Sequence, residues 1–282
     1  MTDTDGARHH QPAPTASDGG SDAHPGATML LGVRVDHTDL PQALASVAGW
    51  VRAGHGSPSQ PRLRHVVTVN PEFVMAARRD AAFAAVLHRT DLATADGIGI
   101  VLAARLLGHP VGARVTGVDL TLGLAGVQPT LRIFLLGAAE GVAAAAAEVL
   151  RERFPGCTIV GTASGSPDAA AFPALAAQMQ AAGAQVVLVA FGHPRQDLWI
   201  ARHQEALAAH GILVAVGVGG TFDFVSGRVP RAPRWVQRIG FEWLYRLLRE
   251  PWRWRRQLVL PQFALLILIE RLRVRQRRHP AD

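Results

Sequence analysis

Lysine is absent from the 282 residues, so all 29 basic side chains are arginines. The absence excludes chemistry that runs through lysine, such as a P-loop or a Schiff base. Cysteine is nearly absent as well. With Cys157 alone there is no intrachain disulfide, no cysteine-based zinc site of the usual kind and no mark of an oxidising compartment. No apolar run reaches the roughly 18 uninterrupted residues of a spanning helix, although 49% of the residues are hydrophobic. Peripheral attachment to a membrane stays open.

Acidic charge is scarce at one end. From Arg228 to Asp282 there are 14 arginines against Glu242, Glu250, Glu270 and Asp282, a net of +10, which leaves −3 of the overall +7 for the first 227 residues. That tail sets the pI of 11.2, and its partner should be anionic. Residues 1–27 are rich in Gly, Pro, Ser, Asp and His and have no apolar stretch of signal-peptide type, so they are expected to be a disordered tail. Within such a tail, Asp3-Thr4-Asp5 and His9-His10 read as accidents rather than as nucleotide-sugar or metal motifs.

Between these ends the chain alternates short apolar runs with helical patterns. The stretch Val66–Gly99 is the most informative part. Val66, Val67 and Val69 read as a buried strand, with Thr68 and Asn70 at its end and Pro71 opening a helix. The run PEFVMAARRDAAFAAVLHR reads as one alanine-rich helix, and Leu92–Ala95 as a second strand with Asp96-Gly97 at its tip. Strand, helix, strand predicts parallel pairing, with both tips at the carboxyl edge where open sheets bind ligands. Thr68, Asn70 and Asp96 then converge on one cleft. An N-cap Asp followed by a turn Gly explains Asp96 equally well, and the pattern leaves the two readings open.

The remaining runs continue the alternation. MLLGVRVDH is expected to be a first strand, followed by a helix over about 39–53. RIFLLG, CTIVG, QVVLVAFG and ILVAVG supply further strands. Gly137 and Gly141 allow a close approach of backbone to a ligand, although helix–sheet packing accounts for them too. Thr116 and Asp119 suit helix capping. His193 reads as a loop residue, with no second ligand at metal spacing, and Gly217, Gly219 and Gly220 as a tight turn or a close backbone approach with no regular helix behind it. The fold class expected is α/β, a Rossmann-like doubly wound, mainly parallel sheet over 28–227, followed by a helical, basic, membrane-associating appendage over 228–282.

The appendage differs in kind. Trp235, Ile239, Trp243 and Leu247 recur every four residues, Pro251 breaks the helix, and Leu258–Ile269 is apolar around Pro261 and Gln262. Trp and Arg beside an apolar stripe suit the interface of an anionic bilayer. Nucleic acid is the competing partner and is set aside, because the aliphatic content is excessive for tracking phosphates. A helix docked on the core by its Trp face is the structural alternative.

In order and spacing, TVNPEF, ADGIGIVLAARLLG, RVTGVDL, GHPRQDLWI, GVGGTFDFVSG and RAPRWVQRIGFEWLYRLLREPWRWRRQ resemble the WecG/TagA/CpsF glycosyltransferase family over roughly Leu30–Gln257. The resemblance implies an inverting transfer of an N-acetylmannosamine-type sugar from a UDP-sugar to an undecaprenyl-diphosphate-linked acceptor. It places the enzyme on the cytoplasmic face of the membrane, in cell-wall or exopolysaccharide synthesis. By motif position, Asp96 would be the general base and Thr68 would belong to the same catalytic pocket. Asn70 and Gly97 would line the substrate site, and Gln196 would contact the donor. Arg246, Arg253 and Arg256 of the appendage would neutralise the departing UDP. No cofactor and no metal are expected, since a diphosphate leaving group needs either a metal or cationic side chains, and guanidinium groups fit phosphate oxygens. Self-association through the core is a further implication. Asp197 stands where the family usually has Glu, and the segment after Gln257 is read as an addition.

Two other classes remain as alternatives. A nicotinamide-dependent oxidoreductase fits the alternation but lacks GxGxxG after the first strand. A non-catalytic membrane adaptor would use the Arg/Trp tail alone.

Overall fold

The computed structural model describes residues 26–54, 62–109, 111–233, 235–236, 242–251 and 254–278. Most of the expected N-terminal tail and the loop at 55–61 fall outside the described residues, as do Ile239 and Arg253.

Six strands form one parallel sheet: β3 (Arg64–Val69), β4 (Leu92–Ala95), β5 (Arg132–Gly137), β6 (Thr158–Ala163), β7 (Val186–Ala190) and β8 (Val214–Gly217). Their order is β4-β3-β8-β7-β5-β6, with every neighbouring pair parallel. The sheet is apolar on both faces because helices cover both. Val66, Ile133, Leu135, Val186, Leu188, Val214 and Val216 point to one layer, built on α1 (Leu40–Gly54), α5 (Gly117–Ala125) and α6 (Val142–Arg153). The alternate residues point the other way. Val67 and Val69 pack with α2 (Pro71–Ala77), α3 (Ala81–Arg89) and α4 (Ile98–Leu106). Phe134, Leu136, Val187, Val189 and Ala215 pack with α7 (Phe172–Ala181), α8 (Arg195–Arg202) and α9 (Gln204–Ala209). The period of two along each strand thus supplies both cores of a doubly wound domain.

Three local expectations are corrected. MLLGVRVDH is a hairpin rather than one strand: β1 (Ala27–Leu30) and β2 (Val33–Asp36) pair antiparallel, and Leu31 (φ 50°) and Gly32 (φ 90°) make the two-residue turn. The hairpin also guards the sheet edge, since Asp36 Oδ2 accepts the Ala93 N–H of β4 at 2.8 Å. The alanine-rich run is two helices, because the Asp80 side chain accepts the N–H groups of Ala82 and Phe83 and so starts α3 as its N-cap. A five-residue helix, α10 (Thr221–Val225), does follow the glycines after β8.

The appendage supplies α11 (Glu242–Arg249), α12 (Trp254–Gln257) and α13 (Val259–Arg278). Pro261 does not interrupt α13, because the first turn of a helix has no partner for its N–H groups. α13 buries Phe263 and Ile267 in the core shared by α2, α3 and α4, and Arg79 donates to Gln262 Oε1 at 2.9 Å. The last segment therefore docks on the core while leaving Leu265, Leu268 and Leu272 more than half exposed. Among the described residues no helix is long and apolar enough to cross a membrane.

Two glycines have packing reasons. Gly137 (φ +107°) lies against the β7 backbone, where a Cβ would come within 2.8 Å of the Ala190 carbonyl carbon. At Gly217 a Cβ would stand 2.6 Å from Gln196 Nε2 and would overlap the Asp197 carboxylate. Both side chains are almost fully buried and cannot withdraw. Gly217→Ala is expected to cost about 1–3 kcal/mol by overpacking, seen as a melting temperature lower by roughly 5 °C in a thermal scan.

Candidate active site

The carboxyl ends of β3, β4, β7 and β8 open into a cavity of about 1240 Å³ that is also lined by residues of α11 and α13. Thr68, Asn70, Asp96, Gly97 and Gln196, all chosen from the sequence, line it together. Arg253 lies outside the described residues, as do the side chains of Arg246 and Arg256. The described arginines that line the cavity are Arg105, Arg114, Arg231 and Arg271, the last two from the basic end of the chain.

Each sequence-chosen side chain has a definite place. Thr68 is buried in β3 and its Oγ1 donates to the Gly217 carbonyl of β8 at 3.3 Å. Asn70 is the N-cap of α2, with Oδ1 accepting the Phe73 N–H at 3.1 Å. Gln196 is 1% exposed and its Oε1 accepts the Gly219 N–H at 3.0 Å, so it fixes the loop after β8 that forms the cavity wall. Asp197 is fully buried with Oδ1 3.3 Å from His65 Nε2, which ties α8 to β3. The shortened carboxylate is thus a packing element beneath the cavity.

Asp96 is not a helix cap. The N-cap of α4 is Gly97, at φ +106° and with no side-chain bond into the helix. The Asp96 backbone is pinned to β3, since its N–H donates to the Val69 carbonyl at 2.7 Å. The segment before α5 then folds back on β4: the Val115 N–H donates to the Ala95 carbonyl at 2.9 Å, and Thr94 Oγ1 donates to the Val115 carbonyl at 3.1 Å. This brings Arg114 and the Gly117 N–H to Asp96. Removal from water raises the Asp96 pKa from 3.8 to about 7; Glu242 and Asp119 push it the same way, against the lowering effect of Arg114 and the bonded Gly117 N–H. A carboxyl group poised near 7 is suited to take a proton as general base at neutral pH.

Around it runs a chain of charges that sequence patterns did not reveal. Arg114 Nη1 is 3.5 Å from Glu242 Oε2, Arg231 Nε is 3.2 Å from Glu242 Oε1, and Arg231 Nη2 is 3.3 Å from Asp119 Oδ1. Asp119 also completes a capping box with Thr116 at the start of α5, the capping expected of both. Its signal in the sequence was the Arg heading RVTGVDL, but partners more than a hundred residues away leave no local pattern.

The carboxylate nearest His193 in the sequence, Asp197, faces His65 instead. Glu72 supplies one in space, with Oε2 3.5 Å from His193 Nε2, and the imidazole stacks on Phe73 with centroids 5.0 Å apart. Among the described residues there is no group of three or more His, Cys, Asp or Glu able to hold a metal ion.

The model of the Glycosyl transferase WecG/TagA/CpsF family matches residues 28–277. The chain belongs to this family. It is 36% identical over 207 residues to the N-acetylglucosaminyldiphosphoundecaprenol N-acetyl-beta-D-mannosaminyltransferase of Bacillus subtilis (strain 168), covering 73% of this chain and 79% of that protein. To the protein of the same name from Bacillus spizizenii (strain ATCC 23059 / NRRL B-14472 / W23) it is 37% identical over 205 residues, covering 72% and 78%.

Membership in the WecG/TagA/CpsF family makes the chain a glycosyltransferase and sets aside the oxidoreductase and adaptor readings. It also corrects the boundary drawn at Gln257. The family match continues to residue 277, so α13 is part of the family's length rather than an addition to it.

Proposed function

We propose that this glycosyltransferase moves an N-acetylmannosamine-type sugar from a UDP-sugar to the hydroxyl of an undecaprenyl-diphosphate-linked GlcNAc acceptor, by single displacement with inversion and without a metal. The observation that carries the reading is Asp96, with its pKa near 7, in a cavity that also presents Arg114, Arg231 and Arg271. Asp96 takes the acceptor hydroxyl proton as the new bond to the anomeric carbon forms, and the bond from that carbon to the UDP oxygen breaks. The charge that develops on the diphosphate faces guanidinium groups, which bind phosphate oxygens in pairs. Thr68 and Gln196 hold the β8 side of the cavity in shape, and Asn70 and Gly97 wall the acceptor side.

The acceptor class follows the names of the Bacillus relatives. Work at the inner face of an anionic membrane is supported by the exposed Trp235, Leu248 and Trp254 and by Leu265 and Leu272 beside the exposed Arg273. Such a surface seats apolar side chains among acyl chains and guanidinium groups among headgroups.

A panel of UDP-sugars offered with a soluble GlcNAc-diphosphate-lipid analogue, in excess EDTA and scored by UDP release, tests the reading. UDP-N-acetylmannosamine is expected to give the highest turnover, unchanged by EDTA. Turnover restored only by an added divalent cation would overturn the metal-independent mechanism.

A further inference from the structure

We propose that Glu242 competes with the donor's diphosphate for the guanidinium groups of Arg114 and Arg231, so that donor binding displaces the first turn of α11 from the pair. The inference rests on the reading of the donor as a UDP-sugar.

One carboxylate bridges two cations brought from different parts of the chain. Its Oε1 faces Arg231 Nε at 3.2 Å and its Oε2 faces Arg114 Nη1 at 3.5 Å, and all three residues line the cavity with Asp96. Two guanidinium groups held this close by a single carboxylate present the planar donors that a diphosphate also accepts, and the diphosphate brings more oxygens and more charge.

Charge balance selects which carboxylate yields. Among the described residues of this cluster, the three carboxyl groups of Asp96, Asp119 and Glu242 are set against the two guanidinium groups of Arg114 and Arg231, so a diphosphate gains most where a carboxylate withdraws. Asp119 is held at both oxygens: Oδ2 accepts the Thr116 N–H at 3.3 Å in the capping box, and Oδ1 pairs with Arg231. Its departure would also break its half of the capping box at the start of α5. Glu242 sits at the start of α11 in the appendage, and among the described residues none of α11 belongs to the buried core. The side chains of Arg114, Arg231 and Glu242 are each between a fifth and a quarter exposed, so an anion entering the cavity can reach the pairs.

Displacement also reaches the base. Asp96 faces Arg114, Glu242, Asp119 and the Gly117 N–H, and Glu242 raises its pKa. Removing the Glu242 charge should therefore move the acid limb of kcat/KM to lower pH. That shift follows from the charge alone; tighter anion binding by the variant is what separates competition from mere docking of the appendage.

The test is binding of UDP, and separately of inorganic pyrophosphate, to the full-length chain and to Glu242→Gln, with the pH profile of kcat/KM recorded for both. Glu242→Gln is expected to bind both anions about three- to tenfold more tightly, with its acid limb shifted down; Glu242→Ala should give the same direction. Equal or weaker binding of both anions in these variants overturns the competition, as does failure of every protein to bind either anion. Tighter pyrophosphate binding by Glu242→Gln, with no UDP binding by any protein, sustains the competition and overturns the UDP-donor reading instead.

Discussion

Asp96→Asn is expected to slow transfer about 10²- to 10⁴-fold, the usual contribution of a positioned general base, while UDP affinity changes little. Asn keeps the shape and the N–H and carbonyl contacts but cannot take the acceptor proton. The same substitution should stabilise the fold at alkaline pH. Because the folded-state pKa is raised from 3.8 to about 7, the native state holds a proton that the unfolded chain has already lost between those values. The stability associated with that proton is complete below about pH 4 and is lost as pH rises through about 7. Above pH 7 the native enzyme therefore carries a buried charge whose cost is at most about 4 kcal/mol, reduced by the partial access of Asp96 to the cavity. The neutral amide of the Asp96→Asn variant avoids that cost. Melting curves of the two proteins should coincide near pH 4 and separate progressively up to pH 8, with the Asn variant higher. A variant that loses activity and also melts lower at pH 8 would mean that Asp96 is a structural residue.

Arg114→Gln should have the second largest effect, in two separable parts. Donor affinity is expected to fall about 10- to 100-fold, as for loss of a charged hydrogen-bond donor worth roughly 1.5–3 kcal/mol. Arg114 also lowers the Asp96 pKa, so its removal should move the acid limb of the rate profile above pH 7, opposite to the shift expected for Glu242→Gln. Titration of UDP by calorimetry measures the first part, and kcat/KM against pH the second. A weakened donor with an unmoved acid limb would place Arg114 on the donor alone.

The layers of the fold were legible because the strands are buried on both faces. Runs such as VVLVA leave little choice but a central parallel strand, and the helices between them close the doubly wound sheet. What escaped were the points at which one residue changes the chain's direction. Leu31-Gly32 turns an apolar run into a hairpin, and Asp80 divides a continuous alanine pattern by capping a second helix. Both have turn or cap chemistry, yet the surrounding pattern outweighs a single residue when read along the chain.

At the candidate site, Thr68, Asn70 and Asp96 were readable because parallel strands must bring their ends to one edge. The orientation of the Asp96 carboxyl was not. Cap and base place the same residue type at the same position, and only Gly97 acting as the cap separates them. The Arg114–Glu242–Arg231 chain and the His193–Glu72 pair were invisible for another reason. Their members come from separate loops and helices, and periodicity reports a residue's own element rather than what folds against it.

The base assignment is tested most directly by kcat/KM of the native enzyme from pH 5 to 9, with a UDP-sugar and a soluble lipid-diphosphate acceptor. An Asp96 base predicts a rate that falls tenfold per pH unit on the acid side, with an apparent pKa of about 7. A rate that is level from pH 5 to 7 would contradict it.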